Sequence, residues 1–99
     1  MATMQYMIVE NFRDGPTPVY ARFRSQGRLA PAGLQYLNSW VSADGARCYQ
    51  LMECDEPGLL EAWMAAWRDL VEFEVIPVIS SAEAAVRFGP PRAGLPNDH

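Results

Sequence analysis

The stretch 34–54, Leu-Gln-Tyr-Leu-Asn-Ser-Trp-Val-Ser-Ala-Asp-Gly-Ala-Arg-Cys-Tyr-Gln-Leu-Met-Glu-Cys, decides the fold. Two alternating runs, 34–43 and 46–54, flank Asp44-Gly45, the residue pair that a two-residue type I′ turn requires. That is the signature of a β-hairpin. A turn this tight pairs Val41 with Cys48, Trp40 with Tyr49, Asn38 with Leu51, Leu37 with Met52 and Tyr36 with Glu53. One face of the hairpin then carries Tyr36, Asn38, Trp40, Tyr49, Leu51 and Glu53. The other carries Leu37, Ser39, Val41, Cys48, Gln50 and Met52.

Upstream, residues 4–11 are rich in β-branched and aromatic types and end before Gly15-Pro16, which predicts a strand. Being apolar on both sides at its middle, it suits a central position. Thr17-Pro18 reads as a helix start, Val19, Tyr20 and Phe23 as its apolar stripe, and Gly27 as its stop near Arg28. Downstream, Asp55 caps a second helix whose Leu59, Leu60, Trp63, Met64 and Trp67 recur at helical spacing as far as Arg68. Residues 71–80 return to strand character, and Pro77, lacking an N–H, places that strand at an edge or a bulge. Ser81 to Phe88 form a short amphipathic segment, one helical turn or a strip packed on a neighbour. From Gly89 the chain is dominated by Gly and Pro. Residues 1–88 therefore form one domain and 89–99 a disordered tail.

Strand, helix, strand, strand, helix, strand is the order of a ferredoxin-like α+β sandwich, with a four-stranded antiparallel sheet and two helices on one of its faces. The other sheet face would leave Tyr36, Trp40, Tyr49 and Leu51 exposed, a larger apolar patch than soluble monomers usually carry. A homodimer packed sheet to sheet, a dimeric α+β barrel with a pocket inside each subunit, is the expected remedy.

Composition closes several classes of chemistry. Eight basic against twelve acidic residues leave a net charge of −4, which argues against nucleic acid as a partner. Every basic residue is Arg, so Schiff-base and P-loop lysine chemistry have no candidate. The single His, His99, ends the chain, where a catalytic triad or a His-ligated haem or zinc would need the tail to fold back. Cys48 and Cys54, on one strand, stand ~20 Å apart, too far for a disulfide. They read as core thiols of a reducing cytoplasm. No leader and no run of ~18 apolar residues is present, so the expectation is a soluble cytoplasmic protein without a membrane partner.

Ser39-Trp40, Asp44-Gly45, Arg47-Cys48, Gln50-Leu51-Met52-Glu53, Trp63, Trp67, Asp69-Leu70, Phe73-Glu74 and Pro77-Val78 together resemble a bacterial family, domain of unknown function 3303. Tyr20-Ala21-Arg22-Phe23 and Gly27-Arg28 fit it too, so the resemblance spans roughly residues 4–85. It implies a ferredoxin-like, dimeric α+β barrel and brings no catalytic residue with it. More distantly the architecture is similar to cofactor-free monooxygenases, polyketide cyclases, stress-responsive barrel proteins and haem-degrading monooxygenases. Likeness of fold is weak warrant for chemistry.

On the predicted hairpin face, Glu53 stands among aromatic residues, where a carboxylate gains a raised pKa and serves as a general base. Its structural alternative is a salt bridge to Arg47 or to an arginine of a partner subunit. Tyr49, Asn38 and Tyr36 are the orienting hydrogen-bonding groups. Trp40 and Leu51 form an apolar wall, Trp40 serving equally as a dimer anchor. Arg22 is a candidate fork for a ligand carboxylate, and Glu74, two residues from Glu72, either points into the barrel or protects a sheet edge. Two readings result: an enzyme without cofactor or metal, a cyclase, isomerase or monooxygenase acting on a small hydrophobic or aromatic molecule, or a non-catalytic ligand-binding or dimer-scaffold module. A haem-handling protein is the weakest alternative, for want of an internal His.

Overall fold

The computed structural model describes residues 3–90. Its elements are β1 (Met4–Phe12), α1 (Pro16–Gln26), β2 (Gln35–Val41), β3 (Arg47–Cys54), α2 (Gly58–Ala65), β4 (Val71–Val78) and α3 (Ser81–Phe88). The strands form one antiparallel sheet in the order β2-β3-β1-β4. This is the ferredoxin-like α+β arrangement that the order of elements predicts. β1 lies at the centre, as its two apolar faces require. β4, with Pro77 in it, is an edge strand, where a missing N–H costs no ladder bond.

Alternation sorts the sheet into a helix-facing side and an open side. Tyr6, Ile8 and Glu10 of β1 are buried, as are Cys48, Gln50, Met52 and Cys54 of β3, and the cross-strand pairs Tyr6–Met52, Ile8–Gln50 and Glu10–Cys48 align them. Against this side pack Val19 of α1 and Leu60, Trp63 and Met64 of α2, with Val71 closing the end of the core. Ile8 and Met52, both at 0% exposure, are its centre. The open side carries Met7, Val9, Tyr49, Leu51, Trp40 and Ile76, none of them fully buried. Among the described residues no helix is long and apolar enough to cross a membrane.

Local details depart from the sequence reading for identifiable reasons. The hairpin forms, but its ladder ends where the Ser42 N–H donates to the Arg47 carbonyl at 2.9 Å, and the connection beyond it is wider than two residues. The Asp44 carboxylate holds this turn, accepting from the Ser42 hydroxyl at 2.7 Å and the Ala46 N–H at 3.0 Å, while Gly45 takes φ 77°. Val41–Cys48, Trp40–Tyr49 and Asn38–Leu51 pair as expected. A bulge then intervenes between Tyr36 and Asn38, so Tyr36 pairs with Met52 and Gln35 with Glu53, instead of Leu37 with Met52 and Tyr36 with Glu53. Tyr36 is thereby moved to the helix-facing side. The Tyr36 and Ser39 hydroxyls bond at 2.7 Å, and Asn38 Oδ1 accepts the N–H of Ser39 at 2.8 Å, which fixes the irregular edge.

The helices also start differently. α1 begins at Pro16 behind Gly15, not at a Thr17 cap, and α2 begins at Gly58 with no side-chain cap from Asp55. α2 ends at Ala65, and the Trp67 carbonyl accepts from Leu70 and Val71 in the turns that lead into β4. Ser81–Phe88 is a full helix, α3, capped by the Ser80 hydroxyl, which accepts from the Glu83 N–H at 3.0 Å. Its Val86 and Phe88 are exposed. Residues 91–99, most of the expected disordered tail and His99 with it, lie outside the described residues.

Since Leu37 is the extra residue of the bulge, removing it restores regular pairing without moving any other side chain to the opposite face. A Leu37 deletion is expected to remain folded, with nuclear Overhauser contacts between the Tyr36 ring and the Met52 side chain retained. Met52→Ala, which empties a fully buried site, is expected to cost about 2–5 kcal/mol in urea unfolding.

Candidate functional site

The loop after α1 organises a polar cluster on the helix-facing side. Gly27, at φ 75°, closes α1 with its N–H on the Phe23 carbonyl at 2.8 Å. Leu29 takes φ 62°, a left-handed conformation uncommon outside glycine. Between them the Arg28 carbonyl accepts the indole N–H groups of Trp63 at 3.1 Å and Trp67 at 2.9 Å. With its backbone held at this point, the Arg28 guanidinium lies over the Tyr36 ring, 3.6 Å from the centroid, and 5.3 Å from that of Phe23. The bulge is what brings Tyr36 to that position.

From Arg28 the contacts run inward. Arg28 Nε donates to Gln50 Oε1 at 3.2 Å, and Gln50 Nε2 donates to Glu10 Oε2 at 2.8 Å. Gln50 thus bridges a cation and a carboxyl, its amide orientation set by the two partners. Glu10 and Gln50 are nearly inaccessible, at 7% and 5% exposure. They meet a cavity of about 140 Å³ between the sheet and the helices, with Phe12, Val19 and Phe23 among its apolar walls and Arg28 and Ser39 on its rim.

Burial dominates the electrostatics here. It raises the Glu10 carboxyl to about 7, with Arg28 pulling in the opposite direction and losing to desolvation. Glu10 therefore exchanges its proton near neutrality. The Cys48 thiol, buried beside it, is pushed up to about 12 by desolvation and then by Glu10, which makes it an inert neighbour and not a nucleophile. Burial likewise raises the Tyr20 phenol above its ordinary range.

The residues singled out by sequence fall in other places. Asn38, Trp40, Tyr49, Leu51, Glu53 and Glu74 all project on the open side of the sheet, away from the cavity. Glu53 there accepts a hydrogen bond from Gln5 Nε2 at 3.0 Å, not an Arg47 salt bridge. Trp40, at 52% exposure, is the most open of the aromatic residues there, and Glu74 is exposed on the edge strand beside Val9. Tyr36, expected beside Glu53, faces the helices instead because of the bulge. The Arg22 fork is already occupied, its two Nη atoms donating to Asp69 Oδ1 and Oδ2 at 2.8 and 2.7 Å and one of them also to the Ala66 carbonyl. That contact ties α1 to the turn after α2 and holds the Asp69 carboxyl below its usual range.

Glu10, Arg28 and Gln50 were missed. The available signal was periodicity: Tyr6, Ile8, Glu10 and Phe12 share one face of a central strand, so a carboxyl at that step has to be buried. Gln50 stands in the same relation to Cys48 and Met52.

Fold and cavity define a ferredoxin-like α+β protein with an acid-floored pocket between its sheet and helices. The chain belongs to the family described as Domain of unknown function (DUF3303), whose profile matches residues 4–89. No curated protein and no solved structure matches it.

A carboxyl that is protonated more readily in the folded than in the unfolded chain adds stability at low pH. For Glu10 that contribution is complete below pH 4.5 and is lost as pH rises to about 7, an effect of at most about 3 kcal/mol. Urea unfolding is expected to show stability falling between pH 5 and pH 8. Glu10→Gln, which keeps the acceptor for Gln50, is expected to flatten that slope.

Proposed function

We propose that the chain binds a small apolar or aromatic molecule in the helix-side cavity and that Glu10 exchanges a proton with it, as base and then as acid. The observation that carries this reading is a buried carboxyl titrating near 7 in the lining of a largely apolar cavity whose other polar lining includes Arg28, Ser39 and Gln50. Proton transfer is most efficient when the catalytic group titrates near the working pH. Gln50 fixes the Glu10 oxygen that accepts its N–H and leaves the other free of any side-chain hydrogen bond among the described residues. Apolar walls keep water from competing for the carboxyl and suit a planar ligand. The general-base role passes in this reading from Glu53 to Glu10.

The test is carbon-acid exchange. Acetophenone in deuterated buffer at pH 7 is expected to exchange its methyl protons faster with the wild-type protein than with Glu10→Gln, by about 10²-fold or more. Equal rates, or none above buffer, would leave the ligand-binding module without proton chemistry.

Sheet-to-sheet homodimerisation belongs to the same proposal. Met7, Val9, Leu51, Ile76 and Trp40 give the open side an apolar character that is unusual for a surface facing only water. A second copy placed face to face would cover it, with the pocket of each subunit on the far side of its own sheet. Native mass spectrometry is expected to give the mass of two chains for the wild type and one for Leu51→Arg. A dimer that survives Leu51→Arg would remove this face from the interface.

A further inference from the structure

Resting on the reading of the cavity as a ligand site, we infer that its occupant is a planar conjugated carboxylate about one aromatic ring in size, held by the Arg28 guanidinium. A guanidinium carries five N–H donors in a rigid fork. Of these, Arg28 uses only Nε for a side-chain hydrogen bond among the described residues. Elsewhere among the described residues Arg13, Arg22, Arg68 and Arg87 each have a carboxylate within ion-pair distance, and the two others that do not, Arg24 and Arg47, are exposed. Arg28 has none among the described residues; the nearest acid along its contacts is Glu10, reached only through Gln50. Its charge at the cavity rim is thus unpaired at short range, and its plane is held in advance by the Tyr36 ring beneath and Gln50 at Nε.

Such an arrangement suits a carboxylate, which the two remaining nitrogens engage side by side. Preorganisation lowers the ordering cost that a freely rotating arginine would bring to binding. The cavity, about 140 Å³, is close to the volume of about 150 Å³ that accepts benzene in an engineered apolar site. A single ring conjugated to its carboxylate places the apolar part against Phe12, Val19 and Phe23 and the charged part at the rim. The other ionisable groups near Glu10 do not oppose an anion at neutral pH. Tyr20 from α1 and Cys48 from β3 are held neutral there, and α2 and the turn after it contribute the uncharged indoles of Trp63 and Trp67.

The experiment titrates benzoate, benzamide and toluene separately into the full chain at pH 6. The readout is the indole N–H resonances of Trp63 and Trp67, assigned by comparison with Trp40→Phe. Benzoate is expected to bind at least about tenfold more tightly than either neutral compound. Arg28→Gln is expected to abolish that preference while leaving the neutral affinities in place, and Arg28→Lys to restore part of it. Where Arg28→Gln does not fold, the side-chain Nε signal of Arg28 in the wild type serves instead, and it is expected to shift with benzoate and not with toluene. Neutral compounds binding as well as benzoate would overturn the carboxylate inference and leave the pocket standing. Failure of all three to perturb the indoles would overturn both.

Discussion

One main-chain carbonyl organises the functional half of this fold. Both tryptophans of the second helical region, Trp63 and Trp67, spend their only polar atom on the carbonyl of Arg28. A buried indole N–H without a partner costs roughly 1–3 kcal/mol, so each ring is anchored by the same acceptor. The consequence runs in both directions. The loop between α1 and β2 is fixed to the core through Arg28, and the left-handed residue that follows, Leu29, is held in a conformation its side chain disfavours. Leu29 packs against the core once there, which offsets part of that strain. Every later feature of the site, from the stacked guanidinium to the bridged amide, depends on where this carbonyl is held.

The cluster that grows from it solves an electrostatic problem in a particular way. A carboxyl buried on a central strand has two common remedies, a directly bonded cation or protonation. Here an arginine stands nearby, yet Gln50 occupies the space between it and Glu10. The amide gives each group one hydrogen bond without letting the charges meet. Direct pairing would have driven the Glu10 carboxyl down; separation by an amide leaves it raised, to about 7. No buried side-chain polar atom among the described residues lacks a partner. The site therefore holds a titrating acid and an available cation in one hydrogen-bonded chain, a combination that a direct ion pair would have eliminated.

How far the amino-acid sequence leads to this point depends on the range of the forces involved. Period-two alternation in 38–41 and 48–51 is local and strong, and the pairing there follows the expected register. At Tyr36 the register changes by one residue. The attraction of the ring for Arg28, eight positions upstream, and its hydroxyl bond to Ser39 act on the side opposite to the one simple alternation assigns. A cation over an aromatic face is worth about 0.5–2 kcal/mol depending on desolvation, comparable with the cost of disturbing an edge strand. No window of local sequence contains that balance. The same limit explains Arg22, whose fork resembles a ligand clamp until the fold brings Asp69 to it from forty-seven residues away. Glu10 is different, because it shares the period-two face of Tyr6 and Ile8 on a central strand, a local signal for burial, whereas Glu53 falls on the open side of the sheet.

The sheet separates two kinds of demand on one set of strands. Along β3 the residues Cys48, Gln50 and Met52 answer to the helices and the cavity, whereas Tyr49, Leu51 and Glu53 answer to whatever meets the open side. Because neighbouring residues point in opposite directions, the two surfaces share a backbone but no side chains. Apolar character on the open side is therefore not required by the core, which is complete without it: Ile8, Met52, Val71 and Cys54 are already at or below 1% exposure on the helix side. Residues kept apolar beyond what the core needs point to a second burial, and the strand that would feel it most is β3, since its Gln50 positions Glu10. A partner pressed on Tyr49 and Leu51 would restrain the backbone on either side of Gln50. On the proposed reading, assembly on one face and proton exchange on the other would be linked mechanically through one strand, although no side chain belongs to both.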